Sequence, residues 1–212
     1  MSATAVIPIK RLENAKRRLS GRLRRAERAA LVLRLLEREL EVLGRSPGIE
    51  RVIVVTADRR VAALAESKRA TIALQPDNGV NAAIRAGMDE ARAVGAELIF
   101  AIHGDLPLIE TRDVTVMLQA GERTGFAIAP DRDRSGTNAI AMNRVVSLDL
   151  QFGSGSFQRF LTEARKRSLS ASVVACPGLE LDLDTPADLL EYRRRLRRGS
   201  AIDRWESSGC IG

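Results

Sequence analysis

His103-Gly104-Asp105-Leu106-Pro107-Leu108 follows directly on Glu97-Leu98-Ile99-Phe100-Ala101-Ile102, a short apolar run that reads as a buried strand. Asp105 therefore falls just past the C-terminal end of a strand, the edge at which open α/β sheets bind their ligands. Pro107 cannot continue a strand or a helix and fixes a turn there. Two readings of Asp105 stand at this point: a carboxylate placed to hold a divalent metal, or one that bonds its own backbone in a turn. The flanking segments settle the fold that carries it.

Upstream, residues 4–9, 51–56 and 71–74 are further β-rich runs, and the middle of the second is apolar throughout, as in a strand buried on both faces. Between them, Ala26, Ala29, Ala30, Leu33, Leu36, Leu40 and Leu43 recur at three- and four-residue spacing and predict a long amphipathic helix over 25–43. Asp58 is placed to cap a short helix through 66, and a further helix is expected over 80–94. Downstream, helix is expected over 111–119, strands over 125–129, 139–142 and 171–175, and a helix to about residue 167 after the glycine-rich 153–156. Asp184-Thr185-Pro186 starts a last helix, with Thr185 as N-cap and Pro186 at the first helical position, running to about residue 198. Strands alternating with helices through the first 120 positions predict an α/β fold with a mixed, mostly parallel sheet and helices on both faces.

The 212 residues favour one domain over 1–198 with 199–212 as a loosely held tail. A formal net charge of +7 favours anionic partners. Only 3% of residues are aromatic, too few for base-stacking modules, so nucleic acid is not the expected partner. No apolar run approaches the roughly 20 residues of a membrane span. Cys176 and Cys210 form neither a CxxC nor a zinc spacing, which points to a reducing compartment and a cytoplasmic protein.

Neither a dinucleotide fingerprint nor a P-loop occurs, so any phosphate must be held otherwise. Lys10 and Lys16 follow the first strand and share the sheet edge with Asp105; the arginines beyond them read as a solvated basic face. Asp182 and Asp184, one residue apart, point the same way if the backbone is extended, and with Asp105 they offer three oxygen ligands for magnesium. Helix capping by Asp184 and Thr185 is the plainer alternative. Gly153, Gly155 and Ser156, ahead of a helix, either present backbone N–H groups to an anion or simply make a turn. His103, the single histidine, is a general base or a structural residue. Cys176 has no histidine partner in sequence, and no Ser/His/Asp triad is recognisable.

Taken in order, Val6-Ile7-Pro8-Ile9-Lys10 with Ala15-Lys16-Arg17-Arg18-Leu19, Asn78-Gly79-Val80-Asn81-Ala82-Ala83, Gly104-Asp105-Leu106-Pro107-Leu108, Gly136-Thr137-Asn138-Ala139, Phe152-Gly153-Ser154-Gly155-Ser156-Phe157 and Leu181-Asp182-Leu183-Asp184-Thr185-Pro186 resemble the CofC/FbiD guanylyltransferases of deazaflavin coenzyme F-420 biosynthesis. The resemblance implies the nucleotide-diphospho-sugar transferase fold. It also implies transfer of GMP from GTP to a small phosphorylated carboxylic acid (2-phospho-L-lactate, phosphoenolpyruvate or 3-phospho-D-glycerate), with release of pyrophosphate. By the motif match Asp105, Asp182 and Asp184 would bind Mg2+, Thr137, Gly153 and Ser156 the acid, Lys10 and Lys16 the GTP phosphates and Asn81 the nucleotide. His103-Gly104 departs from the family, where a Pro and a small residue usually precede the Asp. A homodimer, and a hand-off of an unstable product to the next enzyme of the pathway, are further partner expectations. A transferase of the same fold acting on a sugar phosphate or a molybdopterin, and a non-catalytic nucleic-acid-binding domain, are the competing readings.

Overall fold

The computed structural model describes residues 2–76, 78–149 and 151–197. The tail expected over 199–212, and Cys210 with it, lies outside the described residues. Seven strands, β1 (Ala3–Ile9), β2 (Ile49–Thr56), β3 (Thr71–Leu74), β4 (Leu98–Ile102), β5 (Phe126–Pro130), β6 (Thr137–Asn143) and β7 (Ala171–Val173), form one sheet in the order β3-β2-β1-β4-β6-β5-β7. β1 runs parallel to β2 and β4, β2 to β3, and β5 to β7, while β6 lies antiparallel between β4 and β5. The helices are α1 (Arg25–Arg45), α2 (Arg59–Ser67), α3 (Val80–Ala93), α4 (Thr111–Thr124), α5 (Ser156–Lys166), α6 (Pro177–Glu180) and α7 (Pro186–Arg197). Two single 3-10 turns, Leu12–Asn14 and Arg17–Leu19, make up the basic loop after β1.

Strand alternation sorts the core into two layers. Ala5, Ile7, Phe100 and Ile102 pack with Val32, Leu36 and Leu40 of α1 and Val114 and Met117 of α4. Their neighbours Val6, Ile99 and Ala101 face the other way, onto Ile84 and Met88 of α3 and Phe157 and Phe160 of α5. A third cluster joins Leu31 and Leu35 of α1 to Leu19, Leu108, Leu181, Leu183 and Tyr192. Those four leucines lie beside Lys16, Asp105, Asp182 and Asp184, so burying them draws the loops that carry the charged residues onto one helix.

Three departures from the sequence reading bear on the fold and the site, besides α1 running two residues further, to Arg45, and β2 starting two residues earlier, at Ile49. α4 continues to Thr124 rather than 119, because Gly125 is not the start of the strand: at φ +78° it ends the helix and donates its N–H to Gly121 O at 2.8 Å. β7 stops at Val173, and Pro177–Glu180 forms a helical turn that the sequence pattern does not announce. β6 begins at Thr137, two residues earlier than expected, which matters for the site.

Candidate active site at the carboxyl edge of the sheet

β1, β2 and β4 all end at one edge, and because β6 runs antiparallel to β4, with Ile102 opposite Ala139, its first residue Thr137 is delivered to the same edge. His103 N–H donates to Asn138 O at 2.9 Å, locking the two strand ends together. Gly104 then passes so close to Ile7 and Ile9 that any side chain on it would collide with them. Asp105 emerges beyond that contact.

The Lys16 ammonium donates to Asp105 Oδ2 at 2.6 Å and lies 3.7 Å from Asp184 Oδ1, with its side chain 8% exposed. Arg18 holds the other oxygen of Asp184 at 3.0 Å. Lys16 itself sits in the left-handed region, at φ +48°, between the two turns, a conformation uncommon outside glycine and asparagine. Leu183 N–H donates to Asp105 O at 3.0 Å, so the 182–184 segment is tied by its backbone to the loop after β4. These three distant stretches meet as the sequence reading expected.

Burial works against every charge here, and the neighbours decide the outcome. Burial alone would lower the Lys16 pKa, but Asp105, with smaller help from Asp184 and Asp182, holds it above the ordinary lysine value. Burial would likewise raise Asp105, yet Lys16, through its charge and its hydrogen bond and with smaller help from Lys10, holds its carboxyl below the ordinary value. Asp182 has no such ion pair; burial and the Asp105 charge raise it to about 6. His103, enclosed against Phe152 with ring centres 5.5 Å apart, is pushed down by burial and stays neutral at pH 7. It is no ready proton donor, and its Nε2 has no partner.

The donor chemistry fits a hard divalent cation: three carboxylates gather about one ammonium, and Asp105 Oδ1 is buried with no partner. Among the described residues no three acidic, histidine or cysteine side chains stand arranged as a finished ligand set. Lys16 Nζ stands between Asp105 and Asp184 instead.

Toward β7, Ser156 Oγ donates to Thr137 Oγ1 at 3.0 Å, and both residues are buried. Gly153 and Gly155 take positive φ, +115° and +73°, and Gly155 starts α5. The N–H groups of Gly155, Ser156 and Phe157 already donate to Ser135 Oγ, Gly153 O and Ser135 O. The expected anion cradle at this helix start is therefore largely satisfied within the fold, because the 131–136 loop folds against it. Asn81 also works internally: its Oδ1 accepts from Phe152 N–H at 2.8 Å and its amide donates to Phe152 O at 3.4 Å, bracing the glycine loop.

Toward β3 the ends of β1 and β2 and the start of α3 enclose a pocket lined by Lys10, Thr56, Gln75, Asn78, Gly79 and Val80 among others. Lys10 is exposed at its mouth. Asp58 caps α2 through Arg60 N–H, as expected, and also accepts from Leu12 N–H at 2.9 Å, which steers the loop carrying Lys10 and Lys16. At the last helix Thr185 Oγ1 accepts from Asp188 N–H, while Asp188 accepts from the N–H groups of Asp184 and Thr185. Asp184 is thus freed from capping and left to Lys16 and Arg18. Sequence reasoning missed Glu39, buried on α1 and accepting from Leu106 N–H at 2.8 Å; a lone Glu among the apolar positions of the helix was its one signal.

The fold matches that of a candidate nucleotide-diphospho-sugar transferase from Desulfovibrio desulfuricans G20, with a TM-score of 0.80 at 18% identity over 96% of this chain and 91% of that one. The chain is 38% identical over 203 residues to a phosphoenolpyruvate guanylyltransferase of Sphaerobacter thermophilus, covering 96% of this chain and 98% of the relative. It is 40% identical to the phosphoenolpyruvate guanylyltransferase of Rubrobacter xylanophilus (89% and 92% covered). A 3-phospho-D-glycerate guanylyltransferase of Phenylobacterium zucineum is 35% identical (91% and 90% covered). The model of the CofC-like guanylyl transferases matches residues 3–194, and with the geometry above this places the chain: it belongs to the CofC-like guanylyl transferase family.

Proposed function

We propose that the protein transfers GMP from GTP to the phosphate of phosphoenolpyruvate, releasing pyrophosphate, in deazaflavin coenzyme F-420 biosynthesis, and that it does so with Mg2+. The observation that carries this reading is the Lys16–Asp105–Asp184 cluster at the carboxyl edge of the sheet, flanked by the Lys10 pocket on one side and the Thr137–Ser156 pair on the other. Two phosphoenolpyruvate guanylyltransferases, matching at 38% and 40% identity against 35% for the 3-phospho-D-glycerate enzyme, support that acid.

A phosphate monoester with a second pKa near 6 is largely dianionic at pH 7 and attacks the α-phosphorus without a general base. That agrees with a neutral, enclosed His103. Asp105, Asp182 and Asp184 would hold Mg2+, which when bound supplies charge neutralisation and orientation of the triphosphate. Lys16, released from its carboxylates, and Lys10 at the pocket mouth would face the phosphates, and their fixed charge would stabilise the negative charge that builds on the leaving pyrophosphate. The buried hydroxyls of Thr137 and Ser156 and the open backbone at Gly153 would seat the acid.

The test is pyrophosphate release from GTP with Mg2+, with inorganic pyrophosphatase present to draw the reaction forward, run with phosphoenolpyruvate, 2-phospho-L-lactate and 3-phospho-D-glycerate in turn. Turnover fastest with phosphoenolpyruvate and abolished by chelation supports the reading. Turnover with another acid corrects the substrate, undiminished turnover after chelation removes the metal, and silence with all three acids sinks the proposal.

A further inference from the structure

Two consecutive residues of α1 hold the backbone of the loop that carries Asp105. Glu39 Oε1 accepts from Leu106 N–H at 2.8 Å, and Arg38 Nη2 donates to Ile109 O at 3.1 Å. The loop closes on itself between these points, Ile109 N–H donating to Leu106 O, with Pro107 stiffening the middle. We propose that Arg38 and Glu39 are positioning residues that clamp the 106–109 loop at both ends and thereby set where the Asp105 carboxylate stands relative to Lys16.

Stability alone gives no reason for this arrangement. Glu39 is fully buried, its Oε2 has no partner, and Arg38 Nε is likewise buried without one. An unpartnered polar atom in such a place costs free energy, and a leucine would suit a helix position that shares a face with the core residues Leu36 and Leu43. What a leucine lacks is an acceptor for Leu106 N–H, the first backbone donor after Asp105. Burial pushes the Glu39 carboxyl well above the ordinary glutamate range, and the atom that accepts from Leu106 N–H is a side-chain oxygen that glutamine also has.

The clamp rests on the proposed reaction only for its kinetic readout, so two measurements are paired. In Glu39→Leu, kcat should fall at least tenfold with the KM for GTP within twofold and a thermal midpoint equal to or above that of the parent. Glu39→Gln should stay within threefold of the parent kcat, and Arg38→Met should fall severalfold. Independently of any substrate, hydrogen exchange of the Leu106 amide should speed at least tenfold in Glu39→Leu and stay slow in Glu39→Gln. Unchanged Leu106 exchange in Glu39→Leu overturns the clamp, as does a Glu39→Gln variant impaired as badly as Glu39→Leu. If Glu39→Leu does not fold, Arg38→Met decides: normal kcat and normal exchange across 106–109 overturn the proposal. A parent enzyme silent with every acid would defeat the proposed function, while the exchange data would still judge the clamp.

Discussion

Around Asp105 the carboxyl edge of the sheet is built from charge: Lys16 bridges Asp105 and Asp184, Arg18 braces Asp184, and Asp182 stands beside them without an ion pair. Across the strand end, at Thr137 and Ser156, it is built from two buried hydroxyls that bond each other. The neutral half is complete as it stands, for each hydroxyl has its partner and neither group is charged. The charged half is not, since three carboxylates outnumber the ammonium among them, burial has already forced Asp182 to hold its proton up to about pH 6, and Asp105 Oδ1 is unsatisfied. An incomplete, partly buried charge cluster has valences left for a cation and a polyanion; a complete neutral pair can only offer a shape and a hydrogen bond. Under the proposed function this difference amounts to a division of labour, with reaction chemistry assigned to the charged side and choice of acid to the neutral one.

Removing the centre of the charged half gives the largest expected effect. Asp105→Ala should lower kcat by at least about 10³-fold while circular dichroism and the thermal midpoint show a folded protein. If Asp105→Ala lost no more activity than Ser156→Ala, the division of labour would be wrong. Lys16→Met should come next, with kcat down on the order of 10²-fold. It should also raise the Asp105 pKa, because the cation that holds it down is gone while the burial remains. A Lys16→Met enzyme with normal turnover would make the ion pair a structural feature only.

On the neutral side the expected signature is different in kind. Ser156→Ala and Thr137→Val each leave a buried hydroxyl without its partner, destabilising the fold by about 1–3 kcal/mol. Each should raise the KM for the acid roughly tenfold, the size of effect that loss of one hydrogen bond produces, and leave the KM for GTP unchanged. Steady-state kinetics with each substrate varied separately checks this. A matched rise in both KM values would show that the pair supports the whole edge rather than the acid alone.

These two halves were not equally legible in the sequence. The apolar run ending at Ile102 and the carboxylate after it announced the edge, and the spacing of Asp182 and Asp184 announced that both could turn the same way. Helix and strand periods placed most elements within a residue or two. What the chain order concealed was pairing by third parties. Asn81 braces Phe152, and Ser135 occupies the donors at the start of α5, because loops far apart in sequence fold against each other. Gly125 read as strand and proved to be the left-handed stop of α4, since periodicity alone does not tell a terminator from the first residue beyond it. Glu39 left one trace only, a glutamate among the apolar positions of α1, because its partner is a backbone N–H, which carries no signature in sequence.

The smallest effect concerns stability and separates charge from shape most cleanly. Asp182 has its pKa raised from 3.8 to about 6 by burial and by Asp105. The folded protein therefore binds this proton more tightly than the unfolded chain does, so stability contributed by the protonated group is fully present below about pH 4. It is lost as pH rises to about 6, by an amount on the order of 2 kcal/mol. Asp182→Asn removes the titration and keeps the shape. Its thermal midpoint should exceed that of the parent by several degrees at pH 7.5 and match it at pH 4 in metal-free buffer. An equal difference at both pH values would assign the effect to packing, and the charged half of the edge would then be less crowded than its geometry indicates. Added Mg2+ sharpens the contrast: if Asp182 faces the ion, the parent should regain the lost stability at pH 7.5 and Asp182→Asn should gain less, because only the parent carries the charge that the cation would neutralise.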